Sequence, residues 1–437
     1  MADIQPFWGV YYNQHQAGNL GALICPPYDV ISPRQQEELY RQDEHNFVRV
    51  EFGRELPQDR DTDNRYTRAA GTIEKWLEQG VLVQDETPAI YLHEHVFQCY
   101  GQEYRRQGIV GRVRLEEWDR MVVRPHEGTL SRPRGDRLNM LWALQANTSP
   151  ILSLYEDRKG RVAAVLAEAS QRQPMLEIKE NNGESHRLWA ITGEEEIRRI
   201  HAALDGRPLY IADGHHRYES ALAYHRERRA CDAAAGGDQP YDFVMMNVVS
   251  MADPGLVIMP AHRLVRGISK PTIEGLPERL KQFFEIQELP LETGDIARQV
   301  DGLLLREKKE IRVVICGMAA GRLLLARLRD DGAVRLMVPY FHSELYRSLD
   351  VSIVDHVILE ELLGMNHDEA GETIHYSYEG RDAVQRVLDE EYQLAFIINP
   401  VRPESIMAIA DAGDRMPRKS TYFYPKAPAG LVFYRLV

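Results

Sequence analysis

The chain has 437 residues, 44% hydrophobic and 27% charged, ordinary globular proportions that exclude a fibre or a disordered tail, and at roughly 100 to 200 residues per domain two or three domains are expected, or one large one with insertions. Acidic residues outnumber basic ones 66 to 53, giving a formal charge of −13; a field of that sign opposes the phosphate backbone of nucleic acid, so no nucleic-acid partner is expected. The four cysteines form no Cys-x-x-Cys pair, the N-terminus "MADIQPFWGVYYNQ" lacks the basic and apolar regions of a signal peptide, and no apolar run approaches the roughly 18 residues of a membrane span, so a cytoplasmic protein with no membrane association is expected.

Ser32-Pro33 supplies an N-cap and an N1 proline, predicting a helix from about Ser32. A second helix is predicted over about Asn64 to Gln79, with Ile73, Trp76 and Leu77 on one stripe and Gly80 as the stop. "AIYLHEHVFQCYGQEYRRQGIVGRVRLEEW" alternates like an antiparallel hairpin turning near Gly101-Gln102. A loop, a helix and an apolar strand follow, and "GEEEIRRIHAALDG" is a helix whose acidic start and basic end suit the dipole. "PLYIA" reads as a strand, "HHRYESALAYHRERRA" as a helix, "AAAGGDQP" as an exposed connector and "YDFVMMNVVS" as a strand, so strand, turn, helix and strand form an α/β unit. Further on come helix "IEGLPERLKQFF", strands "EIRVVICGM" and "GRLLLARLR" joined at an Ala-Ala-Gly turn, helix "VSIVDHVILEELLG" and strand "QLAFIINP".

Chemistry concentrates in "LYIADGHHRYES". Asp213-Gly214 is a natural turn pair, and the helix that follows offers unpaired N–H groups and the positive dipole end. His215, His216 and Arg217 add donors there, a constellation suited to phosphate; the alternative is a surface helix start in which Arg217 pairs with Glu219. Adjacent histidines on a helix point about 100° apart and cannot easily share a metal ion. His93 and His95 in "LHEH" face one side of a strand and could share one, but such a pair is more often simply hydrogen-bonded, and no metal site is predicted. Glu127 sits in the Pro- and Gly-bracketed loop "RPHEGTL", the kind of loop that holds catalytic carboxylates, although a solvated loop glutamate is the commoner case and local chemistry alone does not single Glu127 out. Lys419, Ser420 and Thr421 in "MPRKSTYFYPK" set a cation beside two hydroxyls.

Over nearly its full length the chain resembles the family called domain of unknown function 1015, on "CPPYDVIS", "PHEGTL", "NTSPILSLY", "ADGHHRYESAL" and "MPRKSTYFYPK". More distantly it resembles the ParB/sulfiredoxin superfamily and, within it, free serine kinases, through Pro125-His126-Glu127, Asp213 to Arg217 and Pro417 to Thr421 in the same order. The resemblance implies a mixed α/β, α+β fold: an N-terminal α+β region over 1–120, a ParB/sulfiredoxin-like core over 121–268, an accessory α+β region over 269–390, and a C-terminal strand and motif over 391–437 that return to the active site. It also implies a kinase phosphorylating free L-serine, or a related hydroxyl compound, from ADP or ATP with Mg²⁺. In that reading Glu127, Asp213 and His216 are catalytic. Gly214, His215, Arg217, Lys419, Ser420 and Thr421 bind nucleotide or phosphate, and His126 and Thr129 bind the amino-acid substrate. Where the kinase pattern continues with Arg-His, this chain has Tyr422-Phe423. The rival readings are a nucleotide-binding switch without turnover and a metal-dependent hydrolase using His93, His95, His215 and His216.

Overall fold

The computed structural model describes residues 2–232, 236–305, 310–329, 332, 334, 336–365 and 373–437; positions 233–235 of the expected "AAAGGDQP" connector lie outside the described residues. The chain divides into two units, one of Met1–Pro125, Thr129–Val257 and Pro425–Val437, the other of His126–Gly128 and Ile258–Tyr424.

Local signals act as expected in the first unit. Ser32 accepts the Gln35 N–H at 3.2 Å while the Gln35 side chain takes the Ser32 N–H at 3.0 Å, a reciprocal box that starts helix Pro33–Gln42. Asn64 caps helix Arg65–Glu78, which buries Ala69, Ile73 and Trp76 and stops at Gly80 with φ +72. Strands Ile90–Cys99 and Gln102–Arg114 pair from Cys99↔Gln102. The turn is therefore Tyr100-Gly101, with φ 49 and 73, the two positive values a tight hairpin needs, and Gln102 already belongs to the ladder.

These strands lie in a nine-stranded mixed sheet. From one edge its order is Val123–Pro125, Leu209–Asp213, Ile151–Tyr155, Phe243–Ser250, Gln102–Arg114, Ile90–Cys99, Ser185–Ile191 and Leu176–Lys179, with Ile4–Gln5 also on Gln102–Arg114. Leu209–Asp213 runs parallel to Val123–Pro125 and Phe243–Ser250 parallel to Ile151–Tyr155, whereas the other pairings are antiparallel. Phe243–Ser250 is buried along nearly its whole length, as a central strand covered on both faces must be. Helix His215–Cys231 packs against helix Ser131–Leu144.

The second unit is built on a six-stranded antiparallel sheet ordered Phe284–Pro290, Arg322–Leu328, Arg312–Cys316, Leu394–Ile397, His262–Val265, Ile374–Ser377. Helices Ile296–Leu304 and Gly380–Leu388 cover it through a core that includes Val300, Leu325 and Val384. The expected helix "VSIVDHVILEELLG" contains Ile353–Leu362, wound as a π-helix with Asp355 and His356 buried. Parallel and antiparallel pairing combined with helices makes the chain the mixed α/β, α+β protein its sequence implies.

Candidate functional site

The strand leading into Asp-Gly-His-His-Arg is buried from Leu209 to Ala212, so apolar packing fixes where it ends. Against Ile151–Tyr155 its register shifts between Ile211 and Asp213, an irregularity of the kind that re-aims a side chain at a strand end. Gly214 follows at φ 100, ψ 27, a conformation open to glycine at little cost; a Cβ there would come 2.9 Å from Arg217 Nε. Helix His215–Cys231 then begins, and its first internal bond runs from the Tyr218 N–H to the Gly214 carbonyl at 3.0 Å. The N–H groups of residues 215–217 therefore have no acceptor within the helix, and they lie at its positive end.

Cations hold the turn. Asp213 accepts from Arg217 Nη2 at 2.5 Å and Lys426 Nζ at 2.7 Å, and Lys426 also binds Asp29. Burial opposes charge on Asp213, but Lys426 and Arg217 outweigh it and hold the carboxyl well below the usual carboxylate range. Burial likewise opposes the Lys426 charge, and Asp213 and Asp29 together push it well above the ordinary lysine value. Arg217 Nη1 donates to the Pro150 carbonyl at 2.7 Å and to Ser149 Oγ at 3.2 Å. His215 is buried, and His216 Nε2 accepts the Leu130 N–H at 2.9 Å; Thr129 Oγ1 donates to Glu219. Beside Arg217 lies a small cleft lined by Arg137, Leu141, Thr148, Ser149 and Ile151 among others. The buried Glu51 carboxylate accepts from Thr148 Oγ1 at 2.6 Å, and the Arg137 guanidinium stacks 3.8 Å from the Tyr28 ring centroid.

The other two motifs meet in the second unit. Glu127 and Met416 form a parallel bridge. The Met416 N–H donates to the His126 carbonyl at 2.7 Å, and the Lys419 N–H donates to Glu127 Oε1 at 3.0 Å. His126 Nε2 lies 3.1 Å from Thr421 Oγ1, and the buried Ser420 hydroxyl donates to the Pro417 carbonyl at 2.5 Å. Lys419 adopts φ 57, and its carbonyl accepts from Arg263 Nη1 at 3.1 Å. Arg263 is held by Asp355 in a two-pronged pair at 2.8 and 2.9 Å.

The expected residues thus gather in two sets. Thr129, Asp213, Gly214, His215, His216 and Arg217 assemble in the first unit, and His126, Glu127, Lys419, Ser420 and Thr421 in the second. The four-histidine metal site of the hydrolase reading does not form. Among the described residues neither His215 nor His216 belongs to a group able to hold an ion, because the helix start directs them to packing and to the Leu130 backbone.

The sequence matches the family described as Protein of unknown function (DUF1015) over residues 4–352. The chain belongs to that family. Curated proteins give no match. Among solved structures, this DUF1015 protein is similar to a free serine kinase point mutant in complex with AMP, at 13% identity and a TM-score of 0.35, over 74% of this chain and 92% of that one. It is also similar to a conserved hypothetical protein from Pyrococcus furiosus, at 14% identity and a TM-score of 0.33, over 74% of this chain and 95% of that one. A third is SbnI with a C-terminal truncation from Staphylococcus aureus, at 11% identity and a TM-score of 0.34, over 74% of this chain and 85% of that one.

Four residues of the DUF1015 chain emerge only from the coordinates: Asp29, Arg263, Asp355 and Lys426. Two carried a signal, since Asp29 lies in "CPPYDVIS" and Lys426 closes "MPRKSTYFYPK". The Arg263–Asp355 pair spans 92 residues and has no local signature.

Proposed function

We propose that this DUF1015 protein is a small-molecule kinase that transfers a phosphoryl group from Mg²⁺-bound ADP or ATP to the hydroxyl of free L-serine or a related hydroxyl compound. The observation that carries the proposal is the Asp213–Arg217 turn, where Gly214, the helix start, Arg217 and Lys426 converge at the end of a buried strand. Phosphoryl transfer depends on positioning and charge neutralisation more than on covalent chemistry from the protein. The backbone N–H groups of 215–217 and the Arg217 guanidinium suit the nucleotide phosphates. Asp213, kept ionised by its two cations, aims them, and His215 and His216 complete the lining.

In this reading Glu127 is the general base. It takes the acceptor hydroxyl proton as the new O–P bond forms and the bond to the departing AMP or ADP breaks. The Lys419 N–H orients its carboxylate, while His126, Thr129, Ser420 and Thr421 shape the surroundings of the acceptor and phosphate. Three motifs in the order of the free serine kinase pattern support this assignment. The test is phosphorus NMR on purified protein with ADP or ATP, Mg²⁺ and L-serine. A new phosphomonoester resonance matching phosphoserine is expected; nucleotide binding with no transfer to any hydroxyl amino acid would replace the kinase with a nucleotide-binding switch.

A further inference from the structure

Away from the Asp-Gly-His-His-Arg turn, the central sheet of the first unit buries three histidines against two glutamates. His93 and His95 lie on strand Ile90–Cys99 and His186 on the neighbouring Ser185–Ile191, with His95 directly opposite His186. All three are buried. His95 Nε2 lies 2.6 Å from Glu184 Oε2 and His186 Nε2 lies 2.8 Å from Glu180 Oε1. His186 Nδ1 is 3.1 Å from His93 Nε2, and His93 Nδ1 is 3.2 Å from Asn247 Nδ2. The Asn247 side chain reaches His93 over Gly108, where a Cβ would come 2.1 Å from Asn247 Oδ1.

Neither proton arrangement of two neutral histidines satisfies this chain of contacts. If the Asn247 amide donates to His93 Nδ1, then His93 Nε2–H donates to His186 Nδ1 and His186 Nε2–H to Glu180. That direction leaves Asn247 Oδ1 buried without a donor, an unfavourable arrangement for a buried polar atom. If the amide is turned so that His93 Nδ1–H donates to Asn247 Oδ1, His186 Nδ1–H donates to His93 Nε2. The His186 Nε2 lone pair then faces the Glu180 carboxylate, and either a proton or a metal cation must lie between these two acceptors.

We propose that the His95–Glu184–His186 cluster binds a divalent transition-metal ion of the zinc class, with Glu180 as a fourth ligand. One ligand atom from each of His95, Glu184 and His186 already lies within 4.8 Å of the others, and two imidazoles with carboxylates are a donor set that zinc accepts. Adjacent paired strands fix the imidazoles, while Glu184 remains 17% exposed at its side chain, which gives the ion an entry. Each imidazole stays neutral on binding. The His186 proton resides on Nδ1 and that of His93 on Nδ1, so the His93–Asn247 relay becomes the outer hydrogen-bonding shell typical of metal-bound histidine. Arg106, 3.3 Å from His95 Nδ1, is the opposing charge. It gives up that contact while keeping its bond to the Pro425 carbonyl at 2.8 Å, and Glu180 and Glu184 balance the ion.

The test uses the full chain, stripped with chelator and titrated with Co²⁺ and then Zn²⁺. The expected result is one equivalent of Co²⁺ with visible absorption bands of a four- or five-coordinate site, displaced by Zn²⁺, and a higher unfolding temperature with Zn²⁺. Glu184→Gln and His186→Gln should each weaken Co²⁺ binding, and His93→Phe should weaken it roughly 10- to 100-fold through the outer shell. Glu184, nearer solvent, gives the readout should His186→Gln fail to fold. A folded, stripped parent that takes up no stoichiometric Co²⁺ or Zn²⁺ would overturn the proposal, as would full-strength binding in folded Glu184→Gln and His93→Phe. Loss of metal leaves the kinase reading untouched, since none of these residues is assigned to nucleotide or acceptor.

Discussion

Lys426→Met tests whether the turn at Asp213 is held by a shared ammonium. The Lys426 side chain is 11% exposed and contacts both Asp213 and Asp29, so methionine keeps the bulk and removes the charge. Breaking a buried ion pair by deleting one partner costs roughly 3 to 5 kcal/mol. Arg217 still reaches Asp213 at 2.5 Å, which places the loss near the lower end, about 3 kcal/mol. At roughly 2 to 4 °C per kcal/mol for a domain of this size, the unfolding temperature at pH 7 should fall by roughly 6 to 12 °C. The pH dependence carries a sign. In the parent the Asp213 carboxyl lies below its ordinary value, so its contribution is fully present above the unfolded pKa of about 4 and is lost only as pH falls through the lower folded value. In the variant one of the two cations that oppose burial is gone, so the folded pKa of Asp213 rises relative to the parent's and the stability its charge contributes is lost at a higher pH as the solution is acidified. The gap between parent and variant should therefore be widest near neutral pH and narrow as the pH is lowered through the acid limb, in thermal scans read by circular dichroism. A variant within a degree of the parent at pH 7, or a gap constant with pH, would refute the reasoning.

Glu127→Gln should lower phosphotransfer by roughly 10² to 10⁴ with nucleotide affinity little changed, as read by phosphorus NMR and calorimetry on one preparation. Gly214→Ala puts a side chain at φ 100, with its Cβ 2.9 to 3.1 Å from the Arg217 guanidinium; it should cost roughly 1 to 2 kcal/mol in urea unfolding and weaken nucleotide binding by displacing Arg217. Asp355→Asn leaves the buried Arg263 without its carboxylate and should cost roughly 3 to 5 kcal/mol. Urea titration measures it, and a loss below 1 kcal/mol would mean that Arg263 finds another anion.

Local order was readable because its causes are local. The Ser32 and Asn64 caps, the Gly80 stop and the tight hairpin at Gly101 each act within a few residues, and the Asp213-Gly214 turn places its helix where the Gly angle dictates. What completes each set of residues is long-range. Lys426 reaches Asp213 across 213 positions, and Arg263 reaches the Lys419 carbonyl across 156. A lysine five residues beyond Thr421 has no periodicity to single it out, whereas Lys419 lies inside the motif and meets Glu127 through its backbone N–H. The side-by-side placement of His93 and His95 followed from strand alternation. Their partner His186, however, arrives on a strand 93 positions away from His93, beyond any motif.

Calorimetric titration of Mg²⁺-ADP and Mg²⁺-ATP into the parent and Arg217→Ala tests most directly whether the Asp213–Arg217 turn is a nucleotide phosphate site. Arg217 would contribute a charge-assisted hydrogen bond worth roughly 1.5 to 3 kcal/mol, so saturable one-to-one binding is expected in the parent, weakened roughly 10- to 150-fold in the variant. Absence of binding by a folded parent, or equal affinity in a folded variant, would contradict it.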